Sequence, residues 1–565
     1  MSLDLSSDGQ PDAFAAASGS DPGTPLGYLN ADARDSIAPN GKISYTIDQA
    51  GSHLVGGEPG WSAALGVGFT VTYAFRADAP AAMPSDTAGF SRFSSAQITQ
   101  AEQALLAWSD VANIHFTRVG AGATDDAAYS NQATILFGDY ASGESGAAAF
   151  AYLPGTLAYG SSSGDVWINS SLSYNANPTQ GNYGAMVLVH EIGHTIGLDH
   201  PSKYDATANA TITYAADASY YEDDRQYTVM SYFNESNTGA NYAGSYAAVP
   251  LLDDIKAAQV EYGINSTTRT GDTVYGFHST ADRPWFDATV GRLIFAVWDA
   301  GGADTFDFSG YASNQLIDLR QGFFSNVGGL VGNVAIAEGV DIENAIGGSG
   351  ADTLTGNGLD NQLQGGGGSD SIAGGAGADT ISDTSGSNYL RGEDGNDSVS
   401  GGSGFDDING NAGNDTAHGN AGDDWVVGGK DNDVLYGDAG NDIVYGNLGN
   451  DTLSGGDGND WLRGGQGDDS ISGGNGNDLI YGDRGNDTIS GGAGADSFRS
   501  FSGAGVDRIL DFSAAEGDHV QLDPGTAFTV ALVGSDTVID LGNGDQVILV
   551  GVNYNLLPAG WLGVG

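Results

Sequence analysis

The chain has 565 residues and contains no cysteine. Disulfides, thiolate metal ligands and a cysteine nucleophile are therefore excluded. Basic residues are also scarce: 18 Lys and Arg stand against 72 Asp and Glu, which gives a formal net charge of −54. A polyanion of this size does not bind nucleic acid or an anionic membrane by electrostatic attraction. No apolar run approaches the about 20 residues that a transmembrane helix needs, so we expect no membrane insertion.

Apolar residues are nevertheless abundant, since 40% of the chain is hydrophobic and 10% is aromatic. A wholly disordered chain does not have this composition, and the length predicts several domains. The first 25 residues contain neither a basic segment nor a sustained apolar one. We therefore expect no cleaved N-terminal signal peptide. Residues 1–44 show no packing pattern and are predicted to be a propeptide or a flexible N-terminal arm.

A nine-residue repeat fills residues 347–499, which divide into 17 consecutive copies without an insertion or deletion. Position six is Asp in 15 copies, the exceptions being Asn361 and Asn388, and position eight is apolar throughout. The pattern G-G-x-G-x-D-x-U-x resembles the calcium-binding repeats of RTX proteins. Its first six residues predict a glycine-rich turn, and its last three predict a short strand whose position-eight side chain points inward. Two copies complete one coil of a parallel β-roll.

The repeat block carries 26 acidic and 5 basic residues. Calcium prefers six to eight oxygen ligands, so carboxylates and turn carbonyls of successive coils suit it. Without cations these carboxylates repel one another, and calcium binding is expected to drive folding. A solvated Gly/Asp-rich linker is the alternative. A linker, however, has no reason to keep Asp and an apolar residue at fixed positions through 17 copies. The predicted ligands are the position-six aspartates Asp352, Asp370, Asp379, Asp397, Asp406, Asp415, Asp424, Asp433, Asp442, Asp451, Asp460, Asp469, Asp478, Asp487 and Asp496.

A second motif, MVLVHEIGHTIGLDHP, spans residues 186–201. His190 and His194 are four residues apart, so both imidazoles project from one helical face and can reach one zinc ion. Gly197 is predicted to end the helix and to let the reversed chain bring in His200 as the third ligand. Three histidines leave one ligand position open, which is typical of a catalytic zinc site. Glu191 is predicted to be the general base.

The string matches the metzincin signature H-E-x-x-H-x-x-G-x-x-H. Residues 228–232, TVMSY, resemble the Met-turn that lies beneath metzincin zinc sites. Together with the repeats, these motifs resemble the serralysins, which are secreted bacterial zinc metalloproteases. The resemblance implies that Met230 forms an apolar floor under the metal. It also implies that Tyr232 binds zinc or stabilises the oxyanion.

The resemblance implies an α+β zincin-like protease domain, followed by an all-β parallel β-roll (RTX) domain with a β-rich C-terminal cap. The predicted segments after the N-terminal arm are a metzincin catalytic domain at 45–262, a β-rich lead-in with calcium sites at 263–346, the repeats at 347–499, and a cap with an export-signal region at 500–565. Matching to relatives makes Arg269, Asp272, Thr273, Asp299, Gly301 and Asp304 calcium-ligand candidates in the lead-in.

The function implied is that of a zinc metalloendopeptidase made as a zymogen, with one catalytic Zn²⁺ and several structural Ca²⁺. Its expected substrates are broad, extended polypeptides that pair with an edge strand. The implied partners are type I secretion machinery and a periplasmic proteinaceous protease inhibitor. We expect an extracellular monomer that reaches the medium by the type I route.

Two other functions are compatible with parts of the sequence. The first is a calcium-dependent extracellular structural or adhesion module with a vestigial protease site. The second is a lipase acting through Ser162, in a GSSSG segment that matches G-x-S-x-G. That motif requires a strand, a sharp turn and a helix, whereas GSSSG precedes the strand-like GDVWINSS. The complete His-Glu-His-His set, with Met230 and Tyr232, argues against the first function. Insensitivity of the activity to zinc chelation would favour the second.

Overall fold

A computed structural model describes residues 27–56, 60–84, 87–143, 147–155, 163–204 and 212–564. The chain divides into two compact units. The first contains residues up to 305 together with 320–342, and the second contains 306–319 and 343–565. No helix of the described residues is long and apolar enough to cross a membrane.

In its described residues the first unit combines short strands with six α-helices. Helix α2 begins where Ser94 and Gln97 form a reciprocal capping box, and α1 begins with the same device at Thr46 and Gln49. The helices are α1 (Ile47–Leu54), α2 (Ser95–Val111), α3 (Ser173–Ala176), α4 (Tyr183–Thr195), α5 (Tyr214–Asp217) and α6 (Leu252–Tyr262). The first five strands are β1 (Phe69–Phe75), β2 (Ile114–Arg118), β3 (Ile135–Tyr140), β4 (Ala149–Ala151) and β5 (Val166–Asn169).

These five strands form one sheet in the order β2-β1-β3-β5-β4. The first four are parallel in that order, and β4 is an antiparallel edge strand beside β5. Every residue of β3, β4 and β5 is buried, so the sheet has a continuous apolar core. Residues between 263 and 342 add β6 (Val274–Gly276), β7 (Phe295–Val297), β8 (Thr305–Asp307), β9 (Leu316–Asp318), β10 (Phe324–Ser325) and β11 (Val334–Ile336), of which β10, β11 and β7 form a three-stranded sheet.

The second unit is a parallel β-solenoid of about ten coils that begins at residue 344. Its strands are β12 (Asn344–Ile346), β13 (Thr353–Thr355), β14 (Gln362–Gln364), β15 (Ser371–Ala376), β16 (Thr380–Ser382), β17 (Asn388–Asp394), β18 (Ser398–Ser400), β19 (Asp406–Ala412), β20 (Thr416–His418), β21 (Trp425–Lys430), β22 (Val434–Ala439), β23 (Ile443–Leu448), β24 (Thr452–Asp457), β25 (Trp461–Gln466), β26 (Ser470–Asn475), β27 (Leu479–Arg484), β28 (Thr488–Ala493), β29 (Ser497–Ser500), β30 (Val506–Ile509), β31 (His519–Leu522), β32 (Thr529–Val533), β33 (Asp536–Gly542), β34 (Asp545–Leu549) and β35 (Leu562–Val564).

From β12 to β29 successive strands alternate between two sheets, so each strand pairs in parallel with the strand 18 residues away. Beyond them, β33 pairs antiparallel with both β32 and β34. All 17 position-eight side chains are buried between the sheets, as the nine-residue pattern predicts. The outward faces differ. One sheet carries the exposed Tyr389, Trp425 and Trp461, whereas the other carries mainly Thr and Ser at the same strand position, such as Thr380, Ser398 and Thr416. The predicted fold class, an α+β domain followed by a parallel β-roll, is confirmed.

Candidate active site

Helix α4 carries the first two histidines of the motif. It begins at Asn182, whose side chain accepts a hydrogen bond from the Ala185 N–H at 3.0 Å. Almost every residue of the helix is buried, which explains its apolar sequence. The helix stops just before Gly197, whose φ of +102° lies in a region that glycine tolerates and other residues rarely adopt. The chain then reverses and brings His200 back to the helix.

The three imidazoles converge on one point. Their Nε2 atoms are separated by 3.1 Å between His194 and His190, 3.2 Å between His194 and His200, and 3.3 Å between His200 and His190. All three residues are buried. Among the described residues they are the one set of at least three His, Asp or Glu side chains whose ligand atoms all lie within 4.8 Å of one another. Nitrogens about 2.0–2.1 Å from a tetrahedral zinc ion would lie about 3.3 Å apart. The triangle therefore has the size that zinc requires.

Hydrogen bonds on the other side of the rings fix which nitrogens are protonated. His190 Nδ1 lies 2.7 Å from the Val229 carbonyl, and His194 Nδ1 lies 2.7 Å from the Leu198 carbonyl. A carbonyl oxygen only accepts hydrogen bonds, so Nδ1 is the donor and Nε2 keeps its lone pair. Burial lowers the pKa of His194 to about 4 and lowers the pKa of His190 and of His200 well below the ordinary value for histidine. Neutral imidazoles with converging lone pairs are the donor set that zinc prefers.

Glu191 follows the first histidine on the same helix. Its side chain is buried, and Oε2 has no hydrogen-bond partner within the described part of the chain. Burial raises the pKa of this carboxyl well above its ordinary value. An unpaired buried carboxyl is costly to the fold, so its presence beside a ligand favours a chemical role. A raised pKa suits a group that takes up a proton and later releases it.

Residues 228–232 lie beneath the histidines. The Val229 carbonyl orients His190. The Met230 sulfur lies 2.5 Å from the position that a Cβ on Gly193 would take. Asp254 holds this turn, since its carboxylate accepts hydrogen bonds from the Thr228 hydroxyl and from the Val229 N–H at 2.8 Å. The same carboxylate caps helix α6 through the Leu251 N–H at 2.9 Å.

The close packing of Gly193 against Met230 gives a direct test of this arrangement. We expect Gly193→Ala to destabilise the protein by about 1–3 kcal/mol and to lower its zinc content, because the new methyl group displaces Met230 from under the histidines. Thermal unfolding and metal analysis measure the two effects. Gly291→Ala is the matched control, because a Cβ there meets nothing closer than 3.9 Å. Equal unfolding temperatures for the two variants would contradict the packing argument.

Tyr232 lies beside the third ligand. Its ring centroid is 4.5 Å from that of His200, and its ring stacks on Tyr204 at 4.5 Å. The Tyr204 hydroxyl donates a hydrogen bond to Asp223. The Arg225 guanidinium donates to the Tyr232 carbonyl at 2.7 Å. The structure therefore brings Tyr232 to the histidines, and its catalytic role stays a prediction.

Sequence reasoning does not identify three supporting residues of the site, namely Asp223, Arg225 and Asp254. Asp254 lies in the first turn of α6 and caps it, and it also holds the Met-turn. The available signal was the run EDDR at 222–225, since charged residues in a tyrosine-rich segment next to the Met-turn are expected to be paired. Ser162 of the GSSSG segment lies outside the described residues.

Strand β4 is the edge of the five-stranded sheet. Its one strand partner in the sheet is β5, with which Phe150 pairs opposite Trp167. All three residues of β4 are buried, so the structure does not show its other edge open to a peptide. The pairing of a substrate with an edge strand stays a prediction.

The predicted calcium ligands of the lead-in lie on two adjacent loops of the first unit. The Ala300 N–H donates to the Thr268 carbonyl at 3.0 Å. Asp304 accepts a hydrogen bond from the Thr273 N–H at 2.7 Å, and Asp272 accepts one from the Ala303 N–H at 3.0 Å. Asp299, Gly301 and Arg269 belong to the same two loops, with Asp299 accepting from the Gly301 N–H at 3.0 Å. The structure brings the six residues together, and their ligand role stays a prediction.

The position-six aspartates share one geometry along the roll. In the regular copies Oδ1 accepts the backbone N–H of the residue 18 positions earlier, as Asp460 does from Asp442 at 2.8 Å. Oδ2 is buried in 14 of the 15 and has no hydrogen-bond partner in the residues that the structure describes. The exception is Asp352, whose Oδ2 accepts the Gly348 N–H at 2.6 Å. Rows of unpaired buried carboxylate oxygens fit calcium, which takes oxygen ligands and neutralises their charge.

Two protein families match this chain, one in each half. The family described as matrixin matches residues 82–232, and the family described as peptidase M10 serralysin C terminal matches residues 264–533. Metallopeptidase AprA of Pseudomonas marginalis is 46% identical over 58% of this chain and 68% of its own length. The chain belongs to the serralysin family of metalloproteases.

Two further members of the serralysin family are similar to this chain. Metalloprotease AprA of Pseudomonas entomophila is 48% identical over 58% of this chain and 67% of its own length. Serralysin C of Dickeya chrysanthemi is 48% identical over 56% of this chain and 65% of its own length. The alignments thus span about two thirds of these serralysins. Among solved structures, an extracellular lipase from Serratia marcescens aligns over 40% of each chain with 18% identity and a TM-score of 0.17, which supports no conclusion.

Proposed function

We propose that this chain is a secreted zinc endopeptidase that cleaves internal peptide bonds of extended polypeptides. The observation that carries the proposal is the buried triangle of His190, His194 and His200 Nε2 atoms beside the unpaired carboxyl of Glu191. His190, His194 and His200 would hold one zinc ion. Bound zinc would supply a Lewis acid that polarises the scissile carbonyl and activates water.

The protein's own residues would carry the proton and position the substrate. Glu191 would take the proton of the attacking water through Oε2 and deliver it to the leaving amine. The carbonyls of Val229 and Leu198 would keep the imidazoles in the tautomer that presents Nε2. Tyr232 would stabilise the negative charge that develops on the carbonyl oxygen. An extended substrate would pair with an edge strand, and recognition of its backbone explains an expected breadth of substrates.

Calcium would stabilise the roll. The unpaired Oδ2 atoms and the turn carbonyls support binding of several ions, on the order of ten if each interior turn takes part. The acidic roll also supports export in an unfolded state by type I machinery, followed by calcium-driven folding outside the cell. A periplasmic inhibitor and a monomeric state rest on the family resemblance alone. The boundaries of the five predicted segments are part of the same proposal.

Casein hydrolysis by the calcium-loaded protein tests the function. We expect hydrolysis that phenanthroline abolishes and added zinc restores, because the chelator removes the metal that the three histidines would hold. The control is the same assay with a calcium-selective chelator, which should act more slowly and through unfolding of the roll. Absence of hydrolysis after removal of the N-terminal arm, with zinc bound, would favour the structural or adhesion module instead.

A further inference from the structure

One repeat copy departs from the pattern at two positions simultaneously. In residues 383–391, DTSGSNYLR, position one is Asp383 where the other 16 copies have glycine, and position six is Asn388 where 15 copies have aspartate. The copy therefore still contains one carboxylate, but at position one of the repeat, five residues before the usual position six. The two departures have different consequences in the structure.

A regular copy places two oxygens in front of its position-one glycine. At Gly374, for example, a Cβ would collide with Asp379 Oδ2 of its own turn and with the carbonyl oxygen of Gly392, which lies 18 residues further on. The same pair of atoms faces Gly446, where they are Asp451 Oδ2 and the Gly464 carbonyl. Each regular turn thus offers one carboxylate and one carbonyl oxygen to the same small space.

The turn that contains Asp370 is different. A Cβ on Gly365 would lie closer than 3.0 Å to the Oδ2 atoms of both Asp370 and Asp383. The Asp383 carboxylate has therefore taken the place where a regular turn presents a glycine carbonyl. The Asp383 residue is 6% exposed, and its Oδ2, like that of Asp370, is buried with no hydrogen-bond partner in the described ranges.

The side chains of the two asparagines at position six are both hydrogen-bonded to backbone groups. Asn388 Nδ2 donates to the Gly401 carbonyl at 3.2 Å, while Oδ1 accepts the Asp370 N–H at 2.9 Å. Asn361 Nδ2 donates to the Glu343 carbonyl at 3.0 Å, and its Oδ1 accepts the Asn357 N–H at 2.8 Å. In the copy of Asn388 the amide N–H group thus binds the carbonyl 18 residues after position one, which in a regular turn would face an ion. Asn388 therefore does not replace the carboxylate, and Asp383 supplies it one turn earlier.

We propose that Asp383 and Asp370 together form a calcium site with two carboxylates, a ligand arrangement that the repeat pattern does not assign. Two buried carboxylates facing one another repel unless a cation lies between them. Calcium accepts several carboxylate oxygens, and its affinity rises with the number of charged ligands. This site therefore binds calcium more tightly than the regular turns. The inference rests on the proposed calcium binding of the roll, but not on protease activity.

Calcium counting in the full-length protein tests the site. Wild type, Asp383→Asn and the control Asp394→Asn are dialysed against buffers of stepwise lower free calcium, and bound calcium is measured by elemental analysis. Asp394 is exposed in the same part of the roll, so the control removes the same charge outside the site. We expect the last calcium to leave wild type and Asp394→Asn at the same free concentration. Asp383→Asn should release it at a concentration on the order of tenfold higher.

A second variant guards against a folding defect. Asp383→Gly restores the residue of the other 16 copies, so it is expected to fold in calcium, and it should show the same early release as Asp383→Asn. Identical calcium release by Asp383→Gly and Asp394→Asn would overturn the two-carboxylate site. Wild type that binds no calcium at all would instead refute the proposed calcium binding of the roll, so the two failures are distinguishable.

Discussion

Glu191→Gln is expected to lower kcat for peptide hydrolysis by about 10²–10⁴-fold, the usual contribution of a general acid–base residue. Glutamine has the same shape but cannot accept a proton from water at neutral pH. Because Oε2 of Glu191 makes no hydrogen bond to the described residues, the substitution removes no contact that holds the fold. We therefore expect unchanged zinc content and an unchanged or slightly raised unfolding temperature. Steady-state kinetics on a quenched fluorescent peptide, with metal analysis of the same sample, measure these effects.

The matched control for this variant is Glu102→Gln. Glu102 lies on α2 and pairs with Arg118 at 2.7 Å, outside the group of histidines. It is partly exposed, so loss of its charge costs little. We expect kcat within about twofold of wild type for the control. If Glu191→Gln kept wild-type kcat with zinc bound, proton transfer would have to be assigned to another group.

Removal of calcium at pH 8 is expected to abolish most of the β-sheet signal of the roll. The buried Oδ2 atoms of the position-six aspartates would then carry unpaired negative charge, a strongly unfavourable state. Far-UV circular dichroism of the full-length protein, dialysed free of calcium and then titrated with it, measures the loss and its recovery. Magnesium is the control ion, because it requires a small octahedral site and keeps its water ligands.

Low pH is expected to stabilise the calcium-free roll in part, because protons neutralise the buried carboxylates that calcium would otherwise neutralise. Burial raises the pKa of Asp433, Asp442 and Asp469 to about 7 in the metal-free roll. Between about pH 4 and pH 7 the folded roll therefore binds more protons than the unfolded chain, whose aspartates titrate near 3.9. The stability of the calcium-free roll is then greatest at or below about pH 4 and falls as the pH rises through 7. We expect more β signal at pH 4.5 than at pH 8 without calcium; the reverse order would contradict the burial of these carboxylates.

Much of the fold follows from local pattern. The repeat predicts the roll because its phase is preserved over 17 copies, and strand β1 coincides with FTVTYAF at 69–75. The positions and pairing of the strands between residues 306 and 342 are not predictable from the sequence. These residues have no period, and they divide between the two units. The pairing of Phe324 with Ala335, and of Ala335 with Ala296, depends on contacts that no local pattern encodes.

The site shows the same division between local and distant information. The spacing of His190, His194 and His200 predicts their convergence because one helix and one reversal carry all three. The residues that orient this group come from elsewhere in the chain, such as Asp254, which contacts the Met-turn 25 residues before it. Nothing in the helix-start sequence LLDDI distinguishes Asp254, which holds the Met-turn, from Asp253, which binds the buried Arg34 at 2.9 Å. Both are first-turn acids, and the tertiary structure alone separates their roles.

The alternation of repeat copies between the two sheets restricts how the length of the roll can change. Removal of one nonapeptide would move every later strand to the opposite sheet. Trp461 would then lie in the sheet whose earlier strands carry Thr380, Ser398 and Thr416 at that position, and the closing strands β30 and β31 would exchange places. Removal of 18 residues leaves each strand in its original sheet, paired with a strand of that sheet. The roll can therefore be shortened or extended in steps of 54 coding nucleotides, and each step adds or removes one turn on both edges.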